Sequence, residues 1–561
     1  MESELKQSFH AAPDGQANAT PGTLAQAFAD SVARFSDREA IKPQDGEAIT
    51  YAMLEQRVLT ALAVLRHMGI EQGDRIAICL PNRPEWADLT LAAALAGVCV
   101  VPINVRYRPE ELHHALLGSG VRVLFSQTQF LSNPLLERLQ AIAGGALAGP
   151  AHPIDSLPML KHIVLIDGKA DQGVLSYNVL SDQAAPVTAS VASLAAERSG
   201  AEPMWLFWTS GTTSRPKAAL LPQSTVEIIS EWTTLAGYGP DDRVLTSRPL
   251  FYIAGHFWSL LGPLLKGACS VIGSHFTAQE MVQLCKSERI TILSGNPVMF
   301  KRLIQDSAFD PEAFAHVRLG YFGGSALPPD EMKRIQAAIG FNAMLQTYGM
   351  TELGGFIMST LPGDSLDVAC ESCGYPFTRI DLKIVSPESG LEVPDGEVGM
   401  LLTRGQKLIG YVNQTDEERA RLYDEEGWYR TGDLMRRLAN GRYQLVGRFK
   451  DLIKVAGENV SAGEIEDTLM QNEAVSLAAV VARPDSDRGE VPVAFVELHT
   501  QGALDMAALR AWSRARMAPF KVPTEFYEVQ SRDWPMTSTG KIAKHELAAR
   551  LLSGANGLGG S

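Results

Sequence analysis

Along most of this chain, short unbroken apolar runs alternate with stretches of helical period, and that alternation narrows the fold more than any other feature. Residues 75–81 (RIAICLP) form a buried strand pattern, 85–95 a helix, and 98–104 (VCVVPIN) a second strand. The middle repeats the rhythm, with a strand at 243–247, a helix at 278–289 and a strand at 290–293. A helix at 297–305 starts on a proline, whose missing N–H costs nothing at that position. A strand from Val317 (VRLGYFGG), a helix from Pro328 (PPDEMKRIQAAI) and a strand before Tyr348 follow. Strands without a polar face are buried on both sides, which predicts an α/β fold on parallel sheet.

At 561 residues the chain is too long for one core, so roughly two to four domains or subdomains are expected. After about residue 380 the pattern changes. Short alternating strands with turn residues at 381–405 predict a small antiparallel β subdomain, about 375–449. A last unit has helices at 462–471 and 506–517 and strands at 477–481 and 491–498, an α+β pattern. The expected division is a mobile leader at 1–22, a large domain at 23–449 and a small mobile domain at 450–561, with a flexible tail at 554–561. The Gly/Ala/Pro-rich stretch 141–153 is expected to be an exposed loop.

Composition excludes several classes. With 45% apolar and 20% charged residues, the chain is not largely disordered. A surplus of 64 acidic over 50 basic residues, net −14, argues against a nucleic-acid partner. The N-terminus carries acids early and has no apolar core of a signal peptide. The longest apolar stretch, 89–103, contains Pro102 and falls short of the roughly 20 residues that span a bilayer. Six cysteines spell no disulfide framework, and the Cys370/Cys373 pair has no second Cys or His pair to complete a zinc site. A soluble, cytoplasmic protein is expected.

Four segments carry chemistry. At 204–220 (MWLFWTSGTTSRPKAAL) a large apolar run breaks into hydroxyls, glycine and one ammonium, groups that suit phosphate oxygens. It is not a Walker A loop, because the GxxxxGK[ST] spacing is missing. At 346–355 (QTYGMTELGG), Tyr348 offers a flat ring for a purine and Glu352 a carboxylate for a cation, against the plainer reading of a core tyrosine and a solvated glutamate. At 428–434 (WYRTGDL), Asp433 and the later Arg448 could share a ribose diol or be a surface ion pair. At 535–541 (PMTSTGK), a lysine follows a flexible Thr-Gly and could enter a site from a moving domain.

In this order the segments, together with ITYAMLEQRV from Ile49, PNRPEW from Pro81, VVPINVRY from Val100, GGSALPP from Gly323 and GRFKDLIKVAGENVSAGEIE from Gly447, resemble the acyl-adenylate-forming superfamily. That superfamily includes acyl-CoA synthetases, peptide-synthetase adenylation domains and beetle-type luciferases. The resemblance runs from about Leu24 to Leu552. It implies a large N-terminal domain of α/β subdomains with a β subdomain, hinged to a small mobile α+β domain. It implies ATP, Mg²⁺ and coenzyme A as small-molecule partners, a carboxylic acid as substrate, and no nucleic acid or membrane span. A homodimer is compatible with it.

Residue by residue, the resemblance assigns Thr209, Ser210, Gly211, Thr212, Thr213 and Lys217 to the ATP phosphates, and Gly323, Gly324 and Ser325 to the border of adenine. Tyr348 stacks on adenine, Thr351 meets the α-phosphate, and Glu352 holds the metal. Asp433 and Arg448 bind ribose, and Lys450 is the hinge. Lys541 bridges the acid and the α-phosphate, while Lys454 and Gly457 border the pantetheine tunnel in the rotated form. The acid pocket falls to Phe251, Tyr252, His256, Gly349 and Met350, with Trp232 and Trp258 as apolar wall. Many members have histidine where this chain has Tyr252, which keeps an aromatic gate but loses a titratable ring. His256 substitutes only if its segment is helical. A bulky apolar or aryl acid is the expected substrate. The expected reaction is acid–CoA ligation, with loading of a separate carrier protein as the alternative.

Overall fold

The computed structural model describes residues 22–552 apart from 148, 150–152, 169–172, 210–216, 275–276, 324–328, 406, 413, 416, 419–421, 457, 501, 503–504 and 537–541. Among the described residues four sheets organise the chain. A nine-stranded sheet is parallel through Ala343–Met350, Leu319–Gly323, Ile292–Gly295, Arg243–Thr246, Cys269–Ile272 and Glu39–Pro43. An eight-stranded sheet centres on Pro203–Thr209, Cys99–Pro102, Arg75–Cys79 and Val123–Ser126. These are the apolar runs of the sequence, and both sheets are buried by the helices between their strands. Asn296 shows how one helix is started. Its side chain accepts from the Met299 N–H at 2.7 Å, capping Pro297–Gln305.

The parallel strands put their carboxyl ends, Thr246, Gly295, Gly323 and Met350, along one edge of the nine-stranded sheet. Open α/β sheets bind ligands at that edge. An antiparallel four-stranded sheet follows, formed by Asp381–Val385, Gly399–Arg404, Tyr429–Arg437 and Tyr443–Arg448. Two short strands of the 375–449 stretch go elsewhere. Tyr375–Pro376 extends the nine-stranded sheet, and Gly410–Tyr411 pairs with Lys217–Pro222 of the eight-stranded sheet. The stretch therefore stitches three sheets together.

The last unit has a sheet of its own, with Val475–Asp485 against Gly489–Leu498 at its centre, and a core of Ile453, Ile465, Leu469, Val480 and Phe526. It touches the large domain where Lys301 Nζ donates to the Ser476 carbonyl at 3.2 Å, and where Ser461 Oγ donates to the Val446 carbonyl at 2.9 Å. No helix among the described residues is long and apolar enough to cross a membrane. The 141–153 stretch differs from expectation. Residues 141–143 complete the helix Leu135–Ala143, because alanine and isoleucine extend a helix until Gly144, at φ 76°, closes it.

Gly349 is held by contact rather than by backbone conformation. A β-carbon there would lie 1.8 Å from the Gly355 carbonyl oxygen, across the antiparallel pair with Gly355–Ser359. We expect Gly349→Ala to cost about 1–3 kcal/mol or more, read as a lower urea midpoint of the large domain. An unchanged midpoint would mean that the two strands can part without penalty.

Candidate active site

The strand Ala343–Met350 runs to the carboxyl edge and turns through Thr351–Leu353. Two side chains of this segment reach the other two large-domain sheets. Tyr348 Oη donates to Asp433 Oδ2 at 2.6 Å, and Arg448 Nε lies 3.1 Å from Asp433 Oδ1. Asp433 and Arg448 face each other across the antiparallel strands Tyr429–Arg437 and Tyr443–Arg448. Tyr348 and Asp433 are buried, whereas Arg448 is 39% exposed. Burial, reinforced by the Asp433 charge, pushes the Tyr348 phenol well above its ordinary range, so it stays a donor.

Glu352 makes the second connection. Its Oε1 accepts from Tyr411 Oη at 3.0 Å, and Tyr411 Oη lies 3.4 Å from Tyr429 Oη. Tyr411 stands on the edge strand paired with Lys217–Pro222, and Lys217 Nζ sits 5.4 Å above its ring. Thr209 is opposite Lys217 in that sheet. An ammonium, a carboxylate and a second phenol thus gather round Tyr411. Burial raises the Glu352 carboxyl above the usual carboxylate range, and the backbone and Tyr411 donors offset this only in part. Sequence reasoning missed Tyr411. Its GY dipeptide looks like a turn, and only the pairing with residues 219 and 220 reveals it. Tyr429 lies in the quoted WYRTGDL segment but drew no role.

The apolar side is built on 248–261. Asn82 fixes this segment by donating from Nδ2 to the Arg248 carbonyl at 3.1 Å and accepting the Leu250 N–H at 2.9 Å. Phe251 and Tyr252 meet at 4.7 Å between centroids, and the Tyr252 hydroxyl accepts from Asn104 Nδ2 at 3.1 Å. The following residues, Ala254–Leu261, form a π-helical stretch. Gly255 permits it through close approach, since a β-carbon would lie 2.3 Å from the Pro249 carbonyl oxygen.

His256 is helical, as its proposed role requires, but it is wholly buried. Trp205 Nε1 donates to its Nε2 at 3.3 Å, so its Nδ1–H donates to the Leu250 carbonyl at 3.2 Å. Burial drives its pKa down to about 3. This is a neutral core histidine among Trp86, Trp205, Phe207 and Phe257. Trp232 and Trp258 are also fully buried, with Trp258 stacked on Phe356 at 4.2 Å. These three side chains therefore belong to the core and not to an open face of the 248–261 segment.

Gly323 ends its strand against Thr347, while Met350 is half-buried beside Gly349. Lys450 lies in the turn Phe449–Asp451, with Nζ 4.0 Å from Asp451 Oδ1, and Lys454 is exposed on the strand Leu452–Val455. Ser210, Gly211, Thr212, Thr213, Gly324, Ser325, Gly457 and Lys541 lie outside the described residues.

The state of Glu352 gives a signed prediction. A carboxyl whose folded pKa is raised adds stability only while protonated, and that contribution is lost as pH rises through the folded value. Ligand-free Glu352→Gln should therefore have a higher thermal midpoint than wild type at pH 8. The gap should close as pH falls towards about 4, the ordinary carboxylate range. A gap of opposite sign at pH 8 would show that Glu352 is stabilising as a charge.

Comparison with known proteins identifies the family. Residues 28–411 match the family model described as AMP-binding enzyme, and 464–541 match that of the AMP-binding enzyme C-terminal domain. A feruloyl-CoA synthase from an Amycolatopsis species is 31% identical over 527 residues, covering 92% of this chain and 97% of the relative. A 3-[(3aS,4S,7aS)-7a-methyl-1,5-dioxo-octahydro-1H-inden-4-yl]propanoyl:CoA ligase from Mycobacterium tuberculosis is 30% identical over 519 residues, covering 92% and 96%. Among solved structures, a benzoate CoA ligase from Burkholderia xenovorans superposes with a TM-score of 0.78 at 25% identity, covering 94% and 99%. With both matched segments and the fold in agreement, the chain belongs to the family of AMP-binding enzymes.

Proposed function

We propose that this enzyme is an ATP-dependent, AMP-forming acid–CoA ligase. The observation that carries the reading is the convergence of Tyr348, Asp433 and Arg448 with Lys217 and Glu352 at the carboxyl edge of the sheet. The relatives named as CoA ligases favour coenzyme A over a carrier protein as the final thiol.

Each residue has a task that its surroundings support. Asp433 already receives Tyr348 and Arg448, and its two oxygens keep lone pairs for the ribose hydroxyls. The Tyr348 ring, fixed through its hydroxyl, offers a flat face to adenine, bordered by Gly323, Gly324 and Ser325. Thr209 through Thr213 and Lys217 receive the β- and γ-phosphates, and Thr351 the α-phosphate. The half-buried carboxylate of Glu352 fits a divalent cation, since burial leaves its charge undercompensated. A bound Mg²⁺ there would supply positive charge against the phosphates.

The acid's carboxylate oxygen attacks the α-phosphorus. An O–P bond forms, the bond to the β-phosphate bridge breaks, and pyrophosphate leaves. Two anions must approach, so Lys541 is assigned the ammonium that bridges them. The thiolate of coenzyme A then attacks the acyl carbonyl. A C–S bond forms and AMP leaves. Lys541 and the thiol cannot enter by one face together, so the C-terminal domain turns about Lys450 and brings Lys454 and Gly457 to the pantetheine. Phe251, Tyr252, Gly349 and Met350 line the acid side, which suits a bulky apolar or aryl body.

Lys541→Ala tests the assignment. It should lower acid-dependent pyrophosphate release by roughly 10²–10³. Thioester formation from supplied acyl-AMP and coenzyme A should stay within a few-fold of wild type. Equal losses in both half-reactions would remove Lys541 from the adenylation step.

A further inference from the structure

We propose that Arg248 is a specificity residue of the acid-binding side, and that the acid carries a distal second carboxylate that pairs with its guanidinium. The inference rests on the ligase reading and names its substrate class.

Arg248 follows the strand Arg243–Thr246 and stands at the same carboxyl edge as Gly295, Gly323 and Met350. Its backbone is fixed. The carbonyl accepts from Asn82, and Gly255 is pressed against both it and the Pro249 carbonyl. The side chain reaches across to the neighbouring strand end, where Nη2 donates to the Gly295 carbonyl.

No other bond is made by this guanidinium among the described residues, and no carboxylate lies within ion-pair range. Several other arginines of the large domain meet a carboxylate, although Arg75 and Arg138 also bond only to carbonyl or amide oxygens. Arg57 meets Asp88 at 2.5 Å, Arg243 meets Glu288 at 2.5 Å, Arg318 meets Asp242 at 2.6 Å and Arg442 meets Asp364 at 2.6 Å. Burial pulls the Arg248 pKa below its usual value, as expected of a charge in a recess without a counter-ion.

An enclosed, unpaired guanidinium costs stability. Its placement at a ligand edge makes sense when the ligand brings the counter-charge. The planar fork of arginine matches a carboxylate through two parallel hydrogen bonds. From the strand of Tyr348 to that of Arg248 there are three strand spacings, about 14 Å at ~4.8 Å each. Reaction of one carboxyl near Thr351 while the other meets Arg248 therefore requires a spacer body between them, on the acid side assigned above to Phe251, Tyr252 and Met350.

The test compares three matched acids of graded length with the full-length enzyme. They are a monocarboxylate, its ω-oxo analogue and the α,ω-dicarboxylate, each scored by kcat/KM for pyrophosphate release. Wild type should prefer the dicarboxylate over the monocarboxylate by about 10–100-fold, the scale of a hydrogen-bonded charge pair. Arg248→Met and Arg248→Gln should both abolish that preference, and Arg248→Lys should keep part of it. Glutamine keeps an amide donor without the charge, so a loss seen in Met but not in Gln would show that the charge does not read the acid and overturn the proposal. A wild-type preference for the monocarboxylate or the oxo acid would also overturn it. Pyrophosphate release with none of the acids, or with any other carboxylic acid, would instead defeat the ligase reading on which it rests.

Discussion

The Asp433 carboxylate is the tie on which the rest of the site depends. It is buried, it accepts from Tyr348 of the nine-stranded sheet, and it pairs with Arg448 in its own sheet. A buried carboxylate must be bonded on both oxygens or it destabilises the fold. Satisfying Asp433 therefore aligns two sheets at one point. Four residues beyond Tyr348, Glu352 repeats the device towards the third sheet through Tyr411. The site is a junction of three sheets, and its polar residues are also the joints.

This junction separates two environments. On one side lie Lys217, Glu352, Tyr411 and Tyr429, a hydrogen-bonded polar group suited to phosphate. On the other, Asn82 and Asn104 hold the 248–252 backbone and Tyr252 in front of a dry aromatic core centred on His256. Arg448 stands two residues before Lys450. The residue proposed to hold ribose is thus almost adjacent to the proposed hinge, and nucleotide binding and domain rotation share one strand end.

Much of this was legible in the sequence because the relevant signals are local. Unbroken apolar runs marked the parallel strands, and the segments around Thr209, Tyr348 and Asp433 stood out through residue types within a few positions of one another. The parts that were not legible depend on pairing across the chain. Tyr411 matters because its strand lies beside residues 219 and 220. Asn82 matters because it grips a backbone 166 residues away. The motif containing His256 suggested a pocket side chain, but the bonds to Trp205 and Leu250 make it part of the core. A helix period can tell which residues share a face, not which face a neighbouring sheet will cover.

The central claim is that one site first activates an acid with ATP and then passes it to a thiol. Acid-dependent exchange of labelled pyrophosphate into ATP, measured first without and then with coenzyme A, tests it most directly. The account predicts exchange in the absence of coenzyme A, because acyl-AMP forms reversibly, and net production of acyl-CoA and AMP once coenzyme A is added. Exchange that requires coenzyme A, or release of ADP and phosphate in place of AMP and pyrophosphate, would contradict it.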